Sequence, residues 1–292
     1  MYDHILIGVD GSDESLRAAN RGLDLADTFD ADVTAVHVIS RSTIRLARTD
    51  DEEATIRESR ESVFAPVEDA AETVGRSIET EVVAGAPARA LTDRAAALGA
   101  DLLVLGRQGA SGVSERLLGS VTERVLSSGE VPTLVVPGGA SEAGGYERLL
   151  LPTDGSENAE AAIPHGGALA TAYGAGVDVL NVIDVQAAGG AFNAGGLEKS
   201  FIERLEADGE EAVERAAETL REHAPGADVR TAVERTNDGT AARITEYAAA
   251  NDSDLVVMGS RGRSNLRRKV LGSVAASTLR NVGVPVLVVP RT

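Results

Sequence analysis

Gly106-Arg107-Gln108-Gly109, followed after nine residues by Gly119-Ser120, recurs as Gly259-Ser260-Arg261-Gly262, again followed after nine residues by Gly272-Ser273. Around these loops Gly106–Pro137 aligns with Gly259–Pro290 at an offset of 153, with 14 of 32 positions identical. Upstream, Ile5-Leu6-Ile7-Gly8-Val9-Asp10-Gly11-Ser12 aligns with Leu149-Leu150-Leu151-Pro152-Thr153-Asp154-Gly155-Ser156 at an offset of 144. The 292 residues therefore read as one unit used twice. The length agrees, because single hydrophobic cores stop growing at roughly 250–300 residues. The offsets differ by nine residues, which belong between Val182 and Gly259; the Gly/Ala-rich stretch 187–196 is expected to hold them as a loop. A first domain is expected over 1–138, a short flexible linker over 139–145 and a second domain over 146–292.

Within each copy, apolar runs of strand length alternate with stretches of helical period. In the first, strands are expected at Ile5–Val9, Val33–Ile39, Ile78–Ala84, Leu102–Leu105 and Thr133–Val136. Helices are expected from Ser12 to about Phe29, over 51–74, over 88–98 and from Ser120. The second copy repeats this with strands at Leu149–Leu151, Val177–Val182, Val229–Val233, Leu255–Met258 and Val286–Val289. Continuous Val/Leu/Ile strands separated by helices make an α/β fold whose parallel sheet is covered on both faces. Ligands of such sheets bind beyond the carboxyl ends of the strands.

The glycine loops lie at those ends. Glycine lets backbone approach a bound group closely, and the loop N–H groups, with those of the helix starting at Ser120 or Ser273, form an anion nest favoured by the helix dipole. The Ser120 and Ser273 hydroxyls can donate to phosphate oxygens. Asp10 and Asp154 follow the first strand at the same edge, where a carboxylate can accept from ribose hydroxyls or a base amine; Val38 and Val182 end the second strand and can line an apolar slot. Helix capping is the alternative role for both aspartates, with Gly11 and Gly155 as turn residues.

The repeated Gly-x2-Gly-x9-Gly-Ser signature, the Asp-Gly-Ser turn and the closing Val-Pro-x-Leu-Val-Val-Pro together resemble the universal stress protein (UspA-type) family over nearly the whole chain, twice. The resemblance implies two tandem, open, parallel five-stranded sheets of order 3-2-1-4-5, of the adenine-nucleotide α-hydrolase-like group. It also implies the ATP-binding branch. Carried over, Asp10 and Val38, with Asp154 and Val182, would meet ribose and adenine. Gly106, Gly109, Gly119 and Ser120, and in the second copy Gly259, Gly262, Gly272 and Ser273, would hold phosphates, with any Mg²⁺ arriving on the nucleotide. In this family the last strands often pair across a two-fold axis, so Thr133–Val136 and Val286–Val289 are expected to close an intramolecular pseudo-dimer, with a larger homo-oligomer also open. The copies depart from each other in two places. Gly85-Ala86-Pro87 has no proline counterpart at Gly239-Thr240-Ala241, and Arg261, Arg263, Arg267, Arg268 and Lys269 cluster around the second loop only. The cluster predicts tighter polyphosphate binding in the second site, the alternative being a solvated helix face.

Composition narrows the function. The net charge is −18, with 46 acidic against 28 basic residues, and the two copies are both acidic; this argues against duplex nucleic acid as a partner. Low lysine, 3% aromatics and abundant acid fit adaptation to a salt-rich cytoplasm. Absence of cysteine removes disulfides and thiolate metal sites. Neither a bilayer-spanning apolar run nor a secretory signal is visible, so a cytoplasmic protein is expected. There is no Gly-x4-Gly-Lys-Ser/Thr loop and no Gly-x-Gly-x-x-Gly. The four histidines form no repeated constellation: His37 aligns with Asn181 and His165 with Arg21, which reads as unshared roles. Without a paired base and nucleophile, a nucleotide-responsive stress protein is favoured over a slow ATPase or phosphotransfer enzyme, and over a structural tandem module.

Overall fold

The structure is a computed structural model that describes residues 1–39, 49–109, 117–128, 130–140, 144–189, 199–262 and 270–291. The chain divides into two compact units, Met1–Gly145 and Tyr146–Thr292.

The first unit runs β1 (His4–Val9), α1 (Asp13–Phe29), β2 (Asp32–Ile39), α2 (Thr49–Thr73), β3 (Glu79–Ala84), α3 (Pro87–Leu98), β4 (Leu102–Gly106), α4 (Ser120–Ser128) and β5 (Thr133–Val136). Its strands are all parallel in the order β3-β2-β1-β4-β5, with Ile5 in register with both Val33 and Leu102. β1, the central strand, buries Ile5, Leu6 and Ile7 completely. Leu6, Val36 and Leu103 pack with Leu91 and Ala95 of α3 and Val125 of α4, so one face of the sheet is sealed by the two helices that also border the glycine loop.

The second unit runs β6 (Arg148–Pro152), α5 (Glu157–Glu160), α6 (Ile163–Tyr173), β7 (Gly176–Asp184), α7 (Val185–Gly189), α8 (Lys199–His223), β8 (Val229–Thr236), α9 (Thr240–Ala250), β9 (Leu255–Gly259), α10 (Ser273–Asn281) and β10 (Val286–Val289). The same order appears, β8-β7-β6-β9-β10, again parallel. Two differences from the first unit have a local cause. The first helix is split into α5 and α6 because Pro164, where the first copy has Asn20, lacks an N–H for the carbonyl of Glu160 and sits instead in the first turn of a new helix. The expected loop over 187–196 begins as helix, α7, and its remaining residues from 190 lie outside the described ones.

Both copies anchor the start of the central strand in one way. The Asp101 carboxylate accepts from the N–H groups of Asp3 and His4 at 2.8 and 3.1 Å, and Asp254 accepts from Glu147 and Arg148 at 2.6 and 3.3 Å. At this edge, the end of the sheet away from the glycine loops, His4 Nε2 hydrogen-bonds Thr34 Oγ1 at 2.9 Å, and the aligned pair Arg148–Asp178 meets at 3.4 Å. His4 is thereby a packing and hydrogen-bonding residue of the strand base.

Candidate functional site

Each unit opens into a cavity, of about 330 Å³ where β1 and β4 end in the first and of about 240 Å³ where β6 and β9 end in the second. The site residues expected from the sequence, apart from the cations outside the described residues, border one of them. Asp10, Val38, Gly106, Gly109, Gly119 and Ser120 line the first cavity. Asp154, Val182, Gly259, Arg261, Gly262, Gly272 and Ser273 line the second.

The aspartates do not cap helices. Ser12 is the N-cap of α1, accepting from Ser15 N at 3.2 Å, and Ser156 caps α5, accepting from Ala159 N at 3.3 Å. Asp10 Oδ1 instead braces the turn before the cap, accepting from Ser12 N at 3.1 Å and Ser12 Oγ at 2.6 Å; Asp154 Oδ1 accepts from Ser156 N at 3.0 Å. Gly11 and Gly155, at φ 81° and 71°, make the left-handed step this turn requires. The second carboxylate oxygen faces the glycine loop: a Cβ on Gly109 would lie 2.3 Å from Asp10 Oδ2, and one on Gly262 would lie 2.5 Å from Asp154 Oδ2. The second glycine of the signature is thus needed for loop and carboxylate to share one edge of the cavity.

Each glycine loop closes on itself. Gly119 N donates to Arg107 O at 2.8 Å and Gly272 N to Ser260 O at 2.9 Å. The first intrahelical bonds of α4 and α10 come from Glu123 N to Gly119 O and Ala276 N to Gly272 O, both at 2.9 Å. The N–H groups of Ser120, Val121 and Thr122, and of Ser273, Val274 and Ala275, therefore have no intrahelical acceptor, and these six residues all line the cavities. Such a helix start favours an anion. In the second cavity Arg261 adds a guanidinium whose Nε is shielded from solvent and has no hydrogen-bond partner among the described residues. The remaining cations of the expected cluster, Arg263, Arg267, Arg268 and Lys269, lie outside the described residues.

One reading of the sequence is corrected. His37 and Asn181 were expected to have unshared roles, yet His37 Nδ1 hydrogen-bonds Val9 O at 2.8 Å and Asn181 Nδ2 donates to Thr153 O at 2.8 Å. Both side chains hold the carbonyl immediately before the site aspartate, and so fix the angle at which that residue leaves the strand. Their surroundings change to match: the His37 ring meets Phe64 of α2 edge-on at 6.5 Å, whereas Asn181 is approached by Gly209 of α8, whose absent Cβ would lie 2.7 Å from its Oδ1. Shared nitrogen chemistry on unlike residues is the signal that alignment by residue identity passes over. The proline difference also resolves: Pro87 and Thr240 both stand at the first position of their helices and both line the cavity, and Gly239, at φ 94°, makes the turn that Gly85-Ala86 makes in the first copy.

The sequence profile of the universal stress protein family matches residues 1–137 and again 145–290. The chain belongs to the universal stress protein family. It is a tandem member, and a universal stress protein of Mycolicibacterium smegmatis is 30% identical to it over 296 residues, spanning 98% of this chain and 96% of its own. A universal stress protein of Methanocaldococcus jannaschii is 37% identical over 140 residues, which make up 47% of this chain and 82% of that one. Among solved structures, a universal stress protein from Archaeoglobus fulgidus shares the fold with a TM-score of 0.70 and 22% identity, covering 99% of this chain and 98% of that chain. Among the described residues no helix is long and apolar enough to cross a membrane, and no group of three or more His, Cys, Asp or Glu side chains could hold a metal ion.

Proposed function

We propose that each unit binds an adenine nucleotide, with ATP as ligand and Mg²⁺ brought on its phosphates, and that the chain acts as a nucleotide-responsive stress protein in a salt-rich cytoplasm. The observation that carries this reading is the double occurrence of one arrangement. A carboxylate oxygen, an apolar wall ending in Val38 or Val182, and three helix-start N–H groups without intrahelical acceptors converge on a single cavity. The carboxylate suits the ribose, the wall the base and the N–H groups the phosphates. Arg261, whose buried Nε has no hydrogen-bond partner among the described residues, fits the same group of ligands. Holding is favoured over reacting, because Asp10 in the first cavity and Asp154 with Arg261 in the second are the only titratable side chains among the described lining residues. One chain of 30.1 kDa is the expected species in high-salt chromatography with light scattering, a larger homo-oligomer being the alternative outcome.

Mass spectrometry of protein purified gently in high salt is expected to find retained adenine nucleotide. In calorimetry, Asp10→Asn and Asp154→Asn should each weaken one of two sites by about tenfold, because the amide keeps the turn-bracing oxygen and replaces the outer acceptor by a donor. A chain that emerges empty and takes up no added ATP would sink the proposal. Single-turnover hydrolysis abolished by Ser120→Ala and Ser273→Ala would move it to a slow ATP hydrolase.

A further inference from the structure

The two cavities share their backbone but not their charge. In the first unit the Glu14 carboxylate lies against the glycine loop, where Gln108 N donates to its Oε2 at 2.6 Å. Its other oxygen sits so close to Gly138 that a Cβ there would lie 2.5 Å away. An anion is therefore built into the loop that the fold offers to anions, and one loop N–H is already committed to it. The aligned residue of the second unit is Asn158, which is neutral. Position 108 itself changes with it: Gln108 corresponds to Arg261, and both line their cavities. The first loop has its own cation, Arg107, at the position of Ser260. Arg107 is 8% exposed and does not border the cavity, whereas Arg261 of the second loop does.

We infer that the two sites take adenine ligands of different charge: the second a nucleoside polyphosphate, the first a nucleoside or nucleoside monophosphate, with Glu14 and Arg261 as the residues that set the difference. This rests on the nucleotide reading above. Physically, Glu14 does not border the first cavity but sits behind its glycine loop, where it occupies the Gln108 N–H and sets a negative charge beside the loop that would face the phosphates. A phosphate chain in the second cavity gains a charge-assisted donor. The first cavity is also the larger of the two, at about 330 against about 240 Å³, and Pro87, Leu91, Leu117 and Leu118 extend its apolar wall; this favours the uncharged part of a ligand over its phosphates.

Full-length protein titrated calorimetrically with ATP, AMP and adenosine at one fixed high salt concentration tests this. Wild type is expected to show one site preferring ATP over AMP and one preferring AMP or adenosine over ATP. Arg261→Gln should weaken ATP at the first class of site by about tenfold and leave the second class unchanged. Glu14→Gln retains an oxygen for Gln108 N and so preserves the loop, while it should strengthen ATP about tenfold at the AMP-preferring site and leave adenosine unmoved. Gln108→Arg should act in the same direction by supplying the missing cation. Equal preference for ATP at both sites, or no response of the weaker site to Glu14→Gln and Gln108→Arg, overturns the sorting by charge and leaves nucleotide binding standing. Absence of binding by all three ligands overturns both.

Discussion

Gly259→Ala is expected to destabilise the second unit by about 3 kcal/mol, the upper part of the range for overpacked positions. A Cβ at residue 259 would lie 2.2 Å from Asn158 O, 2.7 Å from Asn158 C and 3.1 Å from Ala159 N. These are backbone atoms in the first turn of α5, held by the Ser156 cap, so no side-chain rotation can relieve the overlap. Either β9 or the start of α5 must move, and both border the cavity. The matching Gly106→Ala is expected to cost less, since its Cβ would meet Gln108 O at 2.9 Å and the Glu14 backbone carbon at 3.1 Å. Gly283→Ala, with nothing within 4 Å and no left-handed backbone, serves as the neutral control. Urea unfolding followed by circular dichroism, fitted with a separate transition for each unit, checks the order 259, then 106, then 283. If all three variants unfold together, the close approach of β9 to α5 is wrong.

This bears on how much the glycine signature means. Gly106 and Gly259 let the first helix approach the sheet edge, and Gly109 and Gly262 leave room for a carboxylate. Two copies sharing this fold would keep these glycines for packing even without a ligand. The spacing by itself therefore carries less of the nucleotide reading than its recurrence suggests. The convergence of Asp10 or Asp154 with the helix-start N–H groups, and an Arg261 Nε without a hydrogen-bond partner among the described residues, carry more of it.

Most strands were legible because they are short runs rich in Val, Leu and Ile that a buried parallel sheet demands, whereas β3 and β8 are more polar, and the site residues fall at or just beyond the strand ends and helix starts that such runs locate. What pattern could not show are contacts made across long stretches of chain by residues of unlike type. Glu14 meets Gln108 across 94 residues, and reads locally as one more acidic residue of a first helical turn. His37 and Asn181 do one job with different rings and amides. The break between α5 and α6, by contrast, was present in the sequence as Pro164, and a helix-by-helix reading of the second copy would have found it.

The second unit is expected to lose stability in mild acid through one residue, His165 of α6. Burial lowers its pKa from 6.5 to about 4, so the imidazole is neutral in the folded protein. Between these values the unfolded chain takes up a proton that the folded chain refuses. Stability present above pH 6.5 is therefore lost as pH falls, by about 3 kcal/mol in full once pH 4 is reached. The first unit handles the same position differently: the aligned Arg21, 6% exposed, lies beside Asp24, with Nη1 3.8 Å from Oδ2, whereas the residue aligned with Asp24 in the second unit is Ala168. No carboxylate one helical turn on is there to stabilise a protonated His165. Buried carboxylates act in the opposite sense. Burial raises the pKa of Asp24 and Asp254, so these groups bind protons more readily folded than unfolded, and they add stability as pH falls through the carboxylate range. The histidine loss should accordingly stand out between about pH 6.5 and pH 5, above that range. Urea unfolding of the second unit at pH 7.5, 6 and 5 in constant high salt is expected to show a falling midpoint in wild type and a nearly level one in His165→Gln, with the first unit level in both. A midpoint that falls equally in both proteins would assign the acid sensitivity to other groups and the neutral, buried imidazole would have to be abandoned.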